Sequence, residues 1–313
     1  MAKHLQKQFA QFHENIKLTN TKDNVPLRDK REILVQALKD YFDNKAETEG
    51  KTKITFTAEN QGSYSMGTGI KPLEGEDYDI DVMILFNFSK DDYSPVKVKE
   101  WVFEALNSVG NREVIYKKPC VRVQYKKAGE EHFHVDMALY ANSNDNGKTY
   151  LSVGKPTSAT ADKKWEVSNP KALKEKINSK YKNADEKQQM KRVIRYLKRW
   201  KDLKFPKTGD ARPTGIAFTA LAYNHFVPEI DVTSKFASTV EGNDLVAFRQ
   251  LTERILEQYS WWTERFSVKL PVEPGNDLFE RMKPGQHKTL KEKLEKLKEV
   301  LVSAENEIDP HEA

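Results

Sequence analysis

The sequence predicts an α+β protein, with a first lobe built on a mixed β-sheet and a second lobe built of helices. Runs of β-type apolar residues occur up to about residue 140, whereas apolar residues at helical spacing continue from about residue 168 to the C-terminus. A turn-rich, irregular stretch at 142–164 separates the two patterns. We therefore expect an N-terminal region at 1–45 with a helix bridging both lobes, a sheet lobe at 46–165 and a helical lobe at 166–313.

The elements of the first lobe follow from local patterns. Residues 1–25 are polar and weakly patterned. A helix of about four turns is predicted to begin near Pro26, with these residues at helical spacing: Ile33, Leu34, Ala37, Leu38, Tyr41 and Phe42. A first strand is predicted at 51–58 and a helix at 96–106. Residues 120–125 and 132–140 alternate in polarity and are predicted to form an antiparallel hairpin, with its turn at 126–131.

The helices of the second lobe are predicted from N-cap residues and from apolar residues at helical spacing. Asn169 and Pro170 are typical of a helix start, and residues 186–202 form an amphipathic pattern with a basic side. Thr214 is expected to be the N-cap of the next helix, and a last helix is predicted at 288–302. Residues 274–279 read as a turn followed by a helix start, with Asn276 or Asp277 as the cap. We expect Trp261, Trp262 and Phe266 in the core.

The segments most informative about function are 61–69, with the sequence QGSYSMGTG, and 77–81, with the sequence DYDID. The glycines of the first allow backbone N–H groups to approach a phosphate closely. In the strand that begins with the second, Asp79 and Asp81 point to one side while Ile80 and Val82 point into the core. A phosphate-binding turn beside paired carboxylates is typical of metal-assisted phosphoryl chemistry.

A third carboxylate is available on a later strand. The alternation in 132–139 places Asp136 opposite the apolar face, so that Asp79, Asp81 and Asp136 are expected at one edge of one sheet. His134 would share the face of Asp136, as would Arg122 and Gln124 from the neighbouring strand. For His134, a metal-ligand or base role stays open beside a supporting or surface role.

The order Gly62-Ser63, then Asp79-x-Asp81, then Asp136 resembles the nucleotidyltransferase superfamily of DNA polymerase beta type. Residues 61–64 and 79–82 are most similar to the bacterial CD-NTases, relatives of cyclic GMP-AMP synthase and oligoadenylate synthetase in anti-phage (CBASS) defence. The resemblance extends from about residue 30 to about residue 280. It implies a polymerase beta-like lobe and a helical lobe with a nucleotide cleft between them, and the synthesis of cyclic di- or oligonucleotides from NTPs.

The resemblance also implies roles for individual residues. Asp79, Asp81 and Asp136 would be catalytic and would bind two Mg²⁺ ions, for which Mn²⁺ can substitute. Residues expected to contact nucleotide are Gln61, Gly62, Ser63, Tyr64, Lys198, Lys201, Thr214 and Asp277. For the lysine that reaches the triphosphate, helical periodicity leaves Lys198 and Lys201 as alternatives. ATP is expected among the substrates, and a downstream effector is expected to recognise the product.

The composition of the chain excludes several classes of protein. The chain has 313 residues, 38% hydrophobic and 32% charged, a balance typical of a water-soluble globular protein, and no apolar run approaches the roughly 18 residues of a membrane span. The start lacks an apolar signal region, so we expect a cytoplasmic location. We also expect a monomer. The single cysteine, Cys120, excludes an internal disulfide and a cysteine-based zinc ribbon.

Positive charge is concentrated in one segment. Residues 163–207 contain 16 Lys and Arg against 5 Asp and Glu, a local charge of +11, so the rest of the chain carries about −6 of the total of +5. A solvated helix face, screening of substrate phosphates and a nucleic-acid footprint all fit this charge. We expect no obligatory nucleic acid.

Three other functions remain open. A template-independent RNA or tRNA nucleotide-adding enzyme shares the acid triad and needs a single-strand channel. A small-molecule nucleotidyltransferase is usually shorter. A catalytically silent nucleotide-binding module is disfavoured by the three intact acids.

Overall fold

A computed structural model of the chain describes residues 5–18, 25–76, 78–108, 110, 112–125, 133–206, 212–230 and 242–307. Contacts between Cα atoms divide the chain into two compact units. The helical unit comprises Met1–Lys17, Gly67–Ile70 and Leu173–Ala313, and the sheet unit comprises Leu18–Met66 and Lys71–Ala172. The region boundaries predicted at 45 and 165 stay predictions.

The sheet unit contains one mixed sheet and three described helices. The strands are β1 (Phe56–Asn60), β2 (Tyr78–Phe86), β3 (Glu113–Tyr116), β4 (Val121–Tyr125), β5 (Phe133–Ala141), β6 (Tyr150–Val153) and β7 (Lys164–Val167), and the helices are α2 (Val25–Glu49), α3 (Gly62–Ser65) and α4 (Pro95–Asn107). The strand order is β1-β2-β5-β4-β3, and β6 pairs with β5 and with β7. Strands β2 and β5 are parallel, and the other described pairs are antiparallel. The predicted mixed sheet is confirmed.

The core of this unit lies on both faces of β2. Ile80, Val82 and Ile84 pack in the larger cluster, which also contains side chains of α2 and α4. Met83 and Leu85 belong to a second cluster on the other face. Because both faces of β2 are covered, only its first residues leave side chains at the surface, and Asp79 and Asp81 occupy that end.

The helical unit contains α1 (Gln6–Ile16), α6 (Ala184–Lys204), α7 (Gly215–His225), α8 (Asp244–Leu256) and α9 (Pro284–Asn306), together with most of α5 (Pro170–Ser179). The predicted caps at the starts of α5 and α7 are correct in position: Asn169 Oδ1 accepts from the Ala172 N–H, and Thr214 is the N-cap residue of α7. No helix in the described ranges has both the length and the hydropathy needed to cross a membrane.

Several predictions at the level of elements are wrong. The weakly patterned N-terminus contains α1, and α2 runs for 25 residues rather than about four turns. The first strand is shorter and later than 51–58. Trp261 and Trp262 are 75% and 99% exposed, whereas Phe266 is buried as expected. Turns follow Asp277 rather than a helix. The predicted hairpin turn at 126–131 lies outside the described residues.

Candidate active site

The three predicted acids lie in adjacent register on β2 and β5. In the parallel pair, Asp79 is opposite His134, and Asp81 is opposite Asp136. On the other side of β5, Arg122 of β4 is opposite Asp136. Because side chains opposite one another in a sheet share a face, Asp81, Asp136 and Arg122 form one row across three strands.

Two of the acids have positively charged or imidazole partners on neighbouring strands. Arg122 donates from Nε to Asp136 Oδ1 and from Nη2 to Asp136 Oδ2, both at 2.7 Å. His134 Nε2 lies 3.1 Å from Asp79 Oδ1, and the His134 side chain is buried. The two-pronged pair fixes the orientation of the Asp136 carboxylate, and the hydrogen bond to Asp136 raises the pKa of Arg122.

Asp81 is the acid whose negative charge is least compensated. Burial raises the pKa of its carboxyl to about 7, and repulsion by Asp79 and Asp136 adds to the increase, while His134 and Arg122 oppose it. A carboxylate in this position is stabilised by any cation that enters the site.

The arrangement fits a divalent metal ion. Asp79, His134 and Asp136 each offer a ligand atom, and these atoms all lie within 4.8 Å of one another. Asp81 lies outside this trio, but it is directly opposite Asp136 in the strand pair. Carboxylate oxygens are the ligands that Mg²⁺ and Mn²⁺ prefer. The imidazole contacts Asp79, so His134 also fits the supporting role left open by the sequence.

The glycine-rich turn begins with a short helix, α3, placed beside Asp81. The Gln61 N–H donates to the Asp81 carbonyl at 2.9 Å, and Gln61 Oε1 accepts from the Tyr140 hydroxyl at 2.9 Å. Gly62 has φ +66°, and a Cβ there would lie 2.0 Å from Asp81 Oδ2. Only glycine therefore allows the chain to pass this close to the carboxylate. Ser63 and Tyr64 follow on α3 and are half-buried.

The predicted nucleotide-binding residues of the helical unit have partners inside that unit. Lys198 Nζ donates to the Thr68 carbonyl at 3.1 Å and contacts Thr68 Oγ1 at 3.2 Å. Lys201 Nζ lies 3.0 Å from Asp202 Oδ1.

Thr214 and Asp277 likewise have internal roles. Thr214 starts α7, although its hydroxyl makes no capping hydrogen bond. Asp277 Oδ1 accepts from the backbone N–H groups of Val268 and Phe279. The nucleotide contacts of Lys198, Lys201, Thr214 and Asp277 stay predictions.

The basic segment is not a fully solvated face. On α6, Arg195, Lys198 and Arg199 are buried, and Arg192 forms a two-pronged pair with Asp244, which is itself completely buried. The interpretation of this side of the helix as a solvated surface is therefore wrong. Arg195 and Lys198 contact residues distant in the sequence, which no local pattern reports.

Sequence reasoning gave no role to Arg122 or to Arg195. For Arg122 a signal existed, because its alternation with Val121 and Val123 places it on the face that carries Asp136. For Arg195 there was none, since its acceptors include the carbonyls of Gly67 and Gly69, more than a hundred residues earlier.

The proteins to which this chain is similar include nucleotidyltransferases, in agreement with the acids and the glycine turn of this site. Residues 57–140 match the family described as "Cyclic GMP-AMP synthase DncV-like, nucleotidyltransferase domain". A cyclic GMP-AMP synthase of Escherichia albertii is 28% identical over 202 residues, which cover 62% of this chain and 40% of that protein. The match thus spans less than half the length of the curated relative.

Solved structures show the same fold. The Vibrio cholerae DncV cyclic AMP-GMP synthase superposes with a TM-score of 0.70 at 18% identity, over 95% of this chain and 89% of that chain. Its complex with the linear intermediate 5′ pppA(3′,5′)pG gives a TM-score of 0.73 at 17% identity, over 98% and 91% of the two chains.

Residues 57–140 match a DncV-like nucleotidyltransferase domain, and the solved DncV structures share the fold of this chain, so the predicted resemblance to the bacterial CD-NTases is confirmed. The row of acids and the Gly62 turn lie within the matched residues.

Proposed function

We propose that the protein is a cyclic di- or oligonucleotide synthase. It would join NTPs by attack of a 3′-hydroxyl on an α-phosphate, with release of pyrophosphate. The observation that carries the proposal is the row of Asp81 and Asp136, with Asp79 one position away, beside Gly62 and α3 in a DncV-like domain.

The acids of β2 and β5 would hold the metal. Asp79 and Asp81 would bind two Mg²⁺ ions, or Mn²⁺ in their place, and Asp136 would complete the site. When bound, the ions supply Lewis acidity and neutralise charge on the phosphates. Arg122 fixes the Asp136 carboxylate in one orientation and favours its ionised form, so Asp136 is suited to complete the metal site and to orient the acceptor hydroxyl.

The proposed nucleotide contacts divide into two groups. Gly62 and Ser63 would hold the β- and γ-phosphates, and Gln61 and Tyr64 would also contact the nucleotide. The missing side chain of Gly62 lets the backbone pass close to Asp81. Lys198, Lys201, Thr214 and Asp277 keep the contacts that the family resemblance implies. ATP and GTP are the first substrates to test, because a DncV structure is described in complex with both.

The biological setting is proposed on the same resemblance. The product would be a second messenger in anti-phage (CBASS) defence, made by a cytoplasmic monomer and recognised by a separate effector. No nucleic acid would be required.

Primer-free incubation with labelled NTPs and Mg²⁺ tests the nucleotidyl transfer. We expect the wild-type protein to release pyrophosphate and to form a low-mass product, and Asp79→Asn with Asp81→Asn to form none while remaining folded. Asp145→Asn, at an exposed turn of the same unit, is the matched control and should retain synthesis. Product formation by the double variant would contradict the assignment, as would synthesis that depends on an RNA primer.

A further inference from the structure

The residues that directly continue α3 along the chain are held by α6. In the segment Gly67–Ile70, three successive backbone carbonyls accept from two side chains. Arg195 donates from Nη2 to the Gly67 carbonyl at 2.6 Å and from Nε to the Gly69 carbonyl at 3.1 Å. Lys198 Nζ donates to the carbonyl between them, that of Thr68.

Burying the charged side chain of Arg195 costs free energy, which is unusual for a residue with only a structural role. Its side chain is in the interior, with 9% of the residue exposed, and burial lowers its pKa to about 10. Its hydrogen bonds within the described residues go to two carbonyls and an imidazole rather than to a carboxylate. A buried charge without a paired acid is unfavourable. The planar guanidinium offers in return a fork that spans the Gly67 and Gly69 carbonyls at once.

The third acceptor of Arg195 is His13 of α1. Its Nε2 lies 3.0 Å from Arg195 Nη1. Burial and the Arg195 charge lower the pKa of His13 to about 4, so the imidazole is neutral at physiological pH and Nε2 accepts. The other charged groups that face it are Glu14 and Lys17 from α1 and Arg192 from α6.

Helix α1 is fixed on α6 around this contact. The Tyr196 hydroxyl donates to the Phe9 carbonyl at 3.0 Å, and the rings of Phe9 and Phe12 pack on Tyr196. Lys17, just after α1, pairs with Ile70 as an isolated β-bridge. The segment is therefore held from α6 and from the end of α1.

We propose that Arg195, oriented by His13, is a positioning residue that fixes Gly67–Ile70 and, through the continuous chain, the Gly62–Ser65 helix that would hold the substrate phosphates. The segment has a defined conformation at Gly67. The φ of this residue is +66°, which favours glycine, and a Cβ there would lie 3.3 Å from Lys191 Nζ. The consequence for substrate affinity rests on the proposed function, whereas the consequence for the conformation of the segment does not.

Hydrogen–deuterium exchange of peptides covering residues 62–70 tests the conformational part. The variants are Arg195→Lys, which keeps the charge and loses the fork, and His13→Leu, which removes the acceptor. We expect each to increase exchange in this peptide by about tenfold while exchange in α8 and α9 stays unchanged. His13→Gln, which restores an acceptor, should return exchange close to the wild-type rate. Arg254→Lys and His225→Gln are matched controls in the same unit.

Steady-state kinetics with NTP test the substrate part on the same proteins. We expect KM to rise about tenfold in Arg195→Lys and His13→Leu, with kcat changed less than threefold, and His13→Gln to restore KM. Unchanged exchange at 62–70 in both variants would overturn the proposal. So would a uniform increase in exchange across the helical unit, or an increase that His13→Gln fails to reverse. If the wild-type protein makes no product, the proposed function fails, and the exchange measurement still decides the positioning role.

Discussion

The Asp81 carboxylate is destabilised in the metal-free protein. Its pKa in the folded state is about 7, compared with an ordinary value of 3.8. The folded protein therefore retains a proton there that the unfolded chain has lost, and stability falls as the pH rises from about 4 to about 7. Above pH 7 the ionised carboxylate contributes a constant penalty.

Asp81→Asn should therefore stabilise the metal-free protein. At pH 8 in EDTA we expect the free energy of unfolding to rise by about 1 to 2 kcal/mol, a value reduced for solvent screening from the roughly 1.4 kcal/mol per pKa unit of the full shift. At pH 4 the gain should vanish. Urea titration at both pH values measures it, and a variant that is equally or less stable than wild type at pH 8 would contradict the predicted electrostatic penalty.

Gly62 is the residue whose replacement most directly displaces Asp81. In Gly62→Ala the new Cβ would collide with Asp81 Oδ2, in addition to the strain of a left-handed conformation. We expect synthesis to fall at least about a hundredfold. Gly75→Ala is the matched control, because Gly75 has φ +73° and no atom within 4 Å of its Cβ position. It should lose about 1 kcal/mol of stability and retain synthesis. Equal activity losses in the two variants would argue against the Gly62–Asp81 contact.

At the scale of elements, local sequence patterns predicted two kinds of helix and strand. These are the elements whose packing partners are near in the sequence and the elements whose apolar pattern is strong. Strand β2 was evident from its buried run and its paired acids. Helix α1 was missed, because Leu5, Phe9, Phe12 and Ile16 are a sparse stripe whose partner Tyr196 is far along the chain. Helix α6 was found, but the burial of Arg195, Lys198 and Arg199 on its basic side was not predicted, since long cationic side chains are usually solvated.

The α1–α6 contact should make stability sensitive to mild acid. The pKa of His13 is about 4 in the folded protein and 6.5 in the unfolded chain, so the unfolded chain binds the proton first as the pH falls. Stability from this group is complete above pH 6.5 and is lost as the pH drops towards 4. We expect His13→Gln to remove this loss, which amounts to roughly 3 kcal/mol at most. The difference between the unfolding free energies of the two proteins, measured from pH 7 to pH 4, should grow steadily; a constant difference would show that His13 is not buried as described.

At the scale of the whole molecule, the net charge of +5 gives little information about partners. Part of the +11 of residues 163–207 lies inside the helical unit, in Arg195, Lys198 and Arg199. Removing such charges would damage the fold whatever their role. Six lysines in the described part of the segment are exposed, namely Lys164, Lys171, Lys174, Lys176, Lys182 and Lys204. Nucleic-acid binding is best tested at three of them, Lys174, Lys176 and Lys182.

We expect synthesis by nuclease-treated protein to be unaffected by duplex DNA, duplex RNA or single strands, at low and at physiological salt. Lys164 and Lys171 pair with glutamates, which reduces the number of exposed lysines available to a footprint that must contact several phosphates. The triple variant Lys174→Gln, Lys176→Gln, Lys182→Gln serves as the comparison and should have wild-type activity. A severalfold stimulation by nucleic acid that disappears in the triple variant would identify the protein as a nucleic-acid sensor.

The proposed function predicts that nucleotidyl transfer at the acid row of β2 and β5 ends in a closed nucleotide ring rather than an extended chain. Mass spectrometry of the product formed from the four NTPs in Mg²⁺, before and after alkaline phosphatase, tests it most directly. Ring closure expels the last pyrophosphate, so we predict a mass with one phosphate per nucleotide and no change on phosphatase treatment. A product that keeps a 5′-triphosphate, loses mass with phosphatase and lengthens with time would contradict the account and identify a nucleotide-adding enzyme.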